Sequence, residues 1–216
     1  MADTDQKPPN IKVVLLGDSG VGKTCLITRY ISETFDQNTA STNGASYASK
    51  VVTYDKLGKT ITLDIWDTAG QEKYKALTKF FYKDAAIAIL VYDITIRDSF
   101  ENVKNYWYQQ IKENGEKNIV LGIAGNKSDL YEQEDVPENE AREFAQSIGA
   151  IYSLTSAKMN TGVDALFLDA GNKYLDPSFQ QRVNQEKEEN KEEQGQKITL
   201  NKNEVKKEKK KKGGFC

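Results

Sequence analysis

The chain has 216 residues, 38% apolar and 29% charged, enough apolar side chain for one good core. It contains no histidine, which excludes Ser-His-Asp and Cys-His catalysis and any His-ligated metal, and leaves carboxylates, hydroxyls, amides, Lys or a hard cation to do any chemistry. From Ser178 to Cys216 there are 11 Lys+Arg against 7 Glu, a net of +4, while the rest carries −6; a weakly acidic body with a basic end speaks against a nucleic-acid binder and for an anionic membrane surface.

Residues 1–10, MADTDQKPPN, are polar and read as a flexible arm. They have neither the positive n-region nor the apolar h-region of a secretory signal, and Ala2 excludes N-myristoylation. The run Ile11–Gly17 is continuously apolar, the pattern of a strand buried on both faces. A Gly-rich turn and a helix over Lys23–Ile31 follow. Ser46–Asp55 and Thr60–Trp66 are β-rich stretches around KLGK, which predicts a hairpin. Ala85–Asp93 and Asn118–Gly125 read as two more buried strands, with a helix over Ser99–Asn114 between them. Pro137 and Asn139 open another helix ending near Gly149. Ala150–Leu154 is a short last strand, and Val163–Leu175 an amphipathic helix. Strands alternating with helices predict a mostly parallel six-stranded sheet, one strand antiparallel, covered by helices on both faces. No stretch reaches 18 apolar residues, so no membrane span is expected. From Pro177 onward the sequence is charge-rich and too poor in apolar residues to offset its ordering entropy.

Gly17-Asp18-Ser19-Gly20-Val21-Gly22-Lys23-Thr24 matches G-x-x-x-x-G-K-[ST]. Glycines let the backbone wrap closely, so successive N–H groups face phosphate oxygens, and the next helix aims its positive end at the same point. Lys23 adds a point charge for the β- and γ-phosphates, and Thr24 a hydroxyl for Mg²⁺. Asp67-Thr68-Ala69-Gly70-Gln71 follows a second strand. Asp67 suits Mg²⁺, often through water. Gly70 can offer its N–H to a γ-phosphate, and Gln71 can hold an attacking water.

Asn126-Lys127-Ser128-Asp129 follows a third strand. An ionised Asp accepts only, so it fits the guanine edge, which presents two donors, and not adenine. Asn126 and the Lys127 stem can tie this pocket together. Thr155-Ser156-Ala157-Lys158, after the last strand, supplies a backbone N–H for the guanine oxygen. Phe35 fits either against the base or in the core. The rival readings are a phosphate-loop kinase or ATPase and a non-hydrolysing scaffold. Four arginines are few for an Arg-rich lid, and Gln71, Lys23 and Thr24 together speak for hydrolysis.

These motifs resemble the Ras superfamily of small GTPases over Ile11–Leu175. Leu63-Asp64-Ile65-Trp66, Phe81-Tyr82-Lys83-Asp84-Ala85 and Leu90-Val91-Tyr92-Asp93-Ile94-Thr95 are similar to Rab segments, and Leu166-Phe167-Leu168-Asp169 to the early-endosomal branch. The resemblance implies a three-layer α/β P-loop G domain over 11–177, a GTP hydrolase cycling between GTP and GDP with Mg²⁺, and a role in endocytic vesicle traffic. It assigns phosphate contacts to Ser19, Gly20, Val21, Gly22, Lys23, Thr24, Cys25 and Gly70. Catalysis falls to Gln71, Lys23 and Thr42, and the metal to Thr24, Thr42 and Asp67, Thr42 engaging only in the triphosphate state. Guanine falls to Phe35, Asn126, Lys127, Asp129, Ser156, Ala157 and Lys158, and effectors to Tyr47, Trp66 and Phe81. Partners implied are an exchange factor, a GTPase-activating protein, a GDP-dissociation inhibitor or escort protein, and Rab effectors. The chain departs from the pattern of its relatives where Asn43 stands for the usual Ile, Tyr47 for Phe and Leu154 for the Glu of many relatives.

Residues 178–216 read as a disordered tail. Cys25 and Cys216 suggest no disulfide framework. The ending Lys206–Cys216 is neither a CaaX box nor a double-Cys end, but with the resemblance it implies prenylation of Cys216. One lipid chain anchors only marginally, so the lysines of 206–212 supply the second signal. The expected place is the cytoplasmic side of intracellular membranes, endosomal for this branch, with a soluble cytosolic pool in the GDP form.

Overall fold

The computed structural model describes residues 7–38, 42, 45–68 and 82–181. Its elements in chain order are β1 (Asn10–Leu16), α1 (Lys23–Ser32), β2 (Ala45–Tyr54), β3 (Lys59–Thr68), β4 (Ile87–Asp93), α2 (Arg97–Asn102), a π-helical turn (Val103–Trp107), α3 (Tyr108–Asn114), β5 (Val120–Asn126), a 3₁₀ segment (Ser128–Gln133), α4 (Glu138–Ser147), β6 (Ile151–Leu154) and α5 (Val163–Leu175). The sheet order is β2-β3-β1-β4-β5-β6. The β2–β3 pair is antiparallel, in register from Ala45↔Thr68 to Tyr54↔Lys59, and the other four pairings are parallel.

Burial follows the apolar runs. All seven residues of β4 are buried, as a central parallel strand covered on both faces requires. Alternation along the strands splits the core in two. Val14, Leu16, Leu90 and Tyr92 pack with Phe100, Val103, Trp107 and Ile111. Elsewhere α1 meets α5, where the Tyr30 and Phe167 rings stack 4.0 Å apart. The hairpin is more open to solvent, and Tyr47 and Val51 stand exposed on β2.

Two element starts lie earlier than the sequence expectation, each for a tertiary reason. Asn10, assigned to the arm, begins β1 opposite Thr62, and its amide donates to Asp64 Oδ2 at 2.7 Å. The helix expected from Ser99 begins at Arg97, whose N–H donates to Asp135 Oδ2 at 3.2 Å and whose guanidinium forks onto Glu140 at 2.6 and 2.7 Å. That helix also contains the π turn, which no local sequence signal announces.

Chain contacts divide the molecule into Met1–Leu175 and Asp176–Cys216. In the second unit the described part is a helical turn at 177–181, where the Asp176 carboxylate accepts from the Ser178 N–H at 2.8 Å. The rest of the tail, including Cys216 and its lysines, lies outside the described residues.

Candidate functional site

Because β1, β3, β4, β5 and β6 run parallel, their carboxyl ends share one edge, the place where ligands bind such sheets. A cavity of about 360 Å³ opens there, within the usual size of a small-molecule site. Ser19, Gly20, Gly22, Lys23, Thr24, Cys25, Phe35, Thr42, Asn126, Lys127, Asp129, Ala157 and Lys158 all line it. One space therefore gathers loops that lie more than a hundred residues apart in sequence.

At one end the backbone does most of the shaping. Gly17 has φ +148, and a Cβ there would sit 2.2 Å from the Val91 carbonyl oxygen. Gly22 has φ +95, and its Cβ would sit 2.3 Å from Asn126 Nδ2. No side chain fits either position. Asn126 uses that closeness to donate to the Val21 carbonyl at 2.8 Å, so Val21 is a backbone joint between the two loops while its own side chain is buried. Lys23 is 5% exposed. Its ammonium donates to the Gly17 and Asp18 carbonyls at 2.8 and 2.7 Å. Burial pushes it down to about 8, against the opposing pull of Asp67 and Asp18. A lysine held this way is a desolvated cation at the helix N-terminus, ready for phosphate oxygens.

Asp67 sits beside it, buried at the end of β3. Its Oδ2 accepts from the Thr24 hydroxyl at 2.7 Å and the Thr42 hydroxyl at 3.2 Å, and the two hydroxyls are 2.6 Å apart. Its Oδ1 is buried with no hydrogen-bond partner among the described residues. Burial raises its proton affinity, opposed by the Thr24 bond and by Lys23. Two hydroxyls gathered on one oxygen of a buried carboxylate whose other oxygen has no partner among the described residues match the donor chemistry of Mg²⁺, which takes few protein ligands and keeps water or phosphate for the rest.

The other end is built from side chains. Asp129 Oδ1 accepts from the Ser156 hydroxyl at 2.6 Å, and its other oxygen stands 3.9 Å from the Lys158 ammonium. Ser156 in turn accepts from the Met159 N–H at 3.0 Å. Lys127 takes a left-handed backbone, φ +67, and its ammonium pairs with Asp93 at 2.6 Å. Held at its tip, the Lys127 stem is laid along the cavity wall. Phe35 is half-buried and lines the cavity rather than the core.

The structure thus brings together the candidate residues of the phosphate loop, the metal cluster and the two base loops. Gly70, Gln71 and Phe81 lie outside the described residues. Tyr47, 54% exposed, packs edge-on against half-buried Trp66 with ring centres 5.5 Å apart. Sequence reasoning missed the supports. Asp93, the partner of Lys127, read only as the last residue of a strand. Asp18 read as a spacer, yet its carboxylate accepts from Asn102 at 2.6 Å and from Trp107 Nε1 at 2.8 Å. Those two donors are five residues apart, and the π turn between them brings them toward one face.

Comparison with known proteins gives two concordant results. The Ras family model matches residues 12–176. Mouse Ras-related protein Rab-31 is 46% identical over 158 residues, covering 73% of this chain and 79% of that protein. Human Ras-related protein Rab-22A is 44% identical over 160 residues, covering 74% and 80%.

Proposed function

Given that this chain belongs to the Ras family and is a Rab small GTPase of the endocytic branch, a GTP hydrolase that regulates vesicle traffic, we propose that the cavity at the strand ends holds guanine nucleotide with Mg²⁺ through the residues described above. The observation that carries this reading is the single cavity lined by Lys23 and Thr24 at one end and by Asn126, Lys127, Asp129 and Ala157 at the other.

The backbone N–H groups of the loop from Ser19 to Cys25 and the Lys23 ammonium hold the β- and γ-phosphates. Thr24, Thr42 and Asp67 hold Mg²⁺, which supplies neutralisation of the charge on the phosphate oxygens. By the family pattern, the Gly70 N–H holds the γ-phosphate and the Gln71 amide orients the attacking water. Water forms its bond to the γ-phosphorus as the bond to the β–γ bridging oxygen breaks, leaving GDP and phosphate. At the other end Asp129 accepts from the guanine N1–H and 2-amino group, and a backbone N–H of the Ala157–Lys158 stretch donates to the guanine oxygen. Lys127 and Phe35 cover the ring. Among the described residues Thr42 meets the Thr24 hydroxyl and the Asp67 carboxylate, and the presence or loss of the γ-phosphate switches its loop.

The switch serves an exchange factor, a GTPase-activating protein, a GDP-dissociation inhibitor or escort protein, and effectors that read Tyr47, Trp66 and Phe81. A prenyl group on Cys216 and the lysines of 206–212 hold the chain on the cytoplasmic face of endosomal membranes, and the GDP form supplies the soluble pool. Among the described residues no helix is long and apolar enough to cross a membrane.

Purified full-length protein in magnesium buffer is expected to bind GDP and GTP far more tightly than ATP and to hydrolyse GTP in a single-turnover assay. Equal binding of ATP would overturn the base assignment. Incubation with prenyltransferase and escort protein is expected to raise the mass by a prenyl group; an unchanged mass would remove the anchor.

A further inference from the structure

We infer that Arg29 is a positioning residue for guanine recognition, a fork at the end of α1 that holds the loop at Ala157 and Lys158 against the base.

Arg29 lies in the last turn of α1, the helix whose first turn carries Lys23 and Thr24. The residue is half-buried. Nε donates to the Ala157 carbonyl at 2.7 Å and Nη2 to the Lys158 carbonyl at 3.2 Å. Nη1 donates to the Glu33 carbonyl at the end of its own helix. A basic residue in a last helical turn has an ordinary role, in which it offsets the dipole and caps carbonyls. The bond to Glu33 fits that role. The other two do not, because they reach a loop 128 and 129 residues away.

The two loop carbonyls belong to consecutive residues, and the planar guanidinium meets them with two differently directed N–H groups. This match is available to Arg and only partly to Lys. Fixing these carbonyls fixes the peptide planes. Among the described residues there are no cis peptide bonds. In a trans peptide the N–H points away from the preceding C=O, so holding the Ala157 carbonyl toward Arg29 turns the Lys158 N–H to the opposite side. The rest of the loop is tied down by the Ser156–Thr161 backbone pair at 2.9 and 3.1 Å and by the Met159 N–H bond to Ser156 Oγ. Arg29 adds the anchor at the stretch that faces the base.

One helix therefore registers both ends of the nucleotide. Lys23 and Arg29 are six residues apart, a rise of about 9 Å along a rigid rod. The phosphates are set from its start and the guanine-oxygen donors from its end.

This inference rests on the guanine reading above, and its test separates the two. Dissociation constants are measured for GDP, for inosine 5′-diphosphate, which keeps the 6-oxygen, and for 2-aminopurine riboside 5′-diphosphate, which lacks it. The wild-type chain is compared with Arg29→Ala and Arg29→Lys. Arg29→Ala is expected to weaken GDP and the inosine nucleotide by the same factor, about 10-fold, the usual effect of losing charge-assisted hydrogen bonds behind a donor. The 2-aminopurine nucleotide should bind as before, and Arg29→Lys should fall between. A general structural defect would weaken all three nucleotides alike, and that result, or no weakening at all, overturns the inference. Arg29→Lys keeps the charge and the helix, so the comparison survives if the alanine variant does not fold. A wild-type chain with no preference for GDP over ADP would instead remove the guanine reading itself.

Discussion

The two ends of the cavity are made of different material. The phosphate end is backbone, closed by glycines that tolerate no Cβ and by a lysine that is 5% exposed. The base end is side chain on side chain, with Asp129, Ser156, Lys158, Lys127 and Asp93 linked across three strand ends. Backbone N–H groups are alike for every residue, so the first end can recognise only what all nucleoside triphosphates share. On the proposed reading the second end recognises an arrangement of donors, which only particular side chains can match. That reading makes affinity and base selectivity separable, and the two ends meet at one joint, where Asn126 donates to the Val21 carbonyl.

Four substitutions break or sharpen that contrast. Lys23→Met removes the buried cation, and GDP affinity measured by equilibrium titration should fall on the order of 10³-fold, with purine preference among the remaining weak ligands unchanged. Asp129→Asn acts at the other end: GDP affinity should fall about 10²-fold while xanthosine diphosphate gains, because an amide donates where the carboxylate accepted. If base preference stays as it was, Asp129 does not read the base. Gln71→Leu should leave GTP binding intact and slow single-turnover hydrolysis by about 10-fold, the scale of losing a water-orienting group without a partner's help; hydrolysis at the wild-type rate would remove that role. Asp93→Asn is the mildest. It frees the Lys127 tip but keeps an oxygen for the Thr95 N–H and hydroxyl now bonded at 2.9 and 2.8 Å. GDP release, followed by a fluorescent analogue, should quicken about 3-fold, as expected for losing an ion pair with one half-exposed partner. An effect as large as that of Asp129→Asn would mean that Asp93 supports more than Lys127.

The phosphate loop was legible in the sequence because its chemistry is local: eight consecutive residues, a buried strand before them and a helix after. The strands and most helix ends were legible for the same reason, since apolar period and punctuation sit within a few residues of what they specify. Asn126, Asp129 and Ala157 were readable as separate motifs. Their convergence follows from parallel strands that share one carboxyl edge.

What only the tertiary structure decided are the contacts between residues far apart in the chain. Asp93 holds Lys127, Asn102 and Trp107 hold Asp18, and Arg29 holds Ala157 and Lys158. No spacing rule foretells them. A side chain's partner across a fold is set by which elements become neighbours and by how each is rotated, here even by one π turn. The orphaned oxygen of Asp67 is of the same kind. A carboxylate at a strand end is visible in the sequence, but the burial that leaves one of its oxygens without a partner among the described residues arises only once β3 has packed into the sheet.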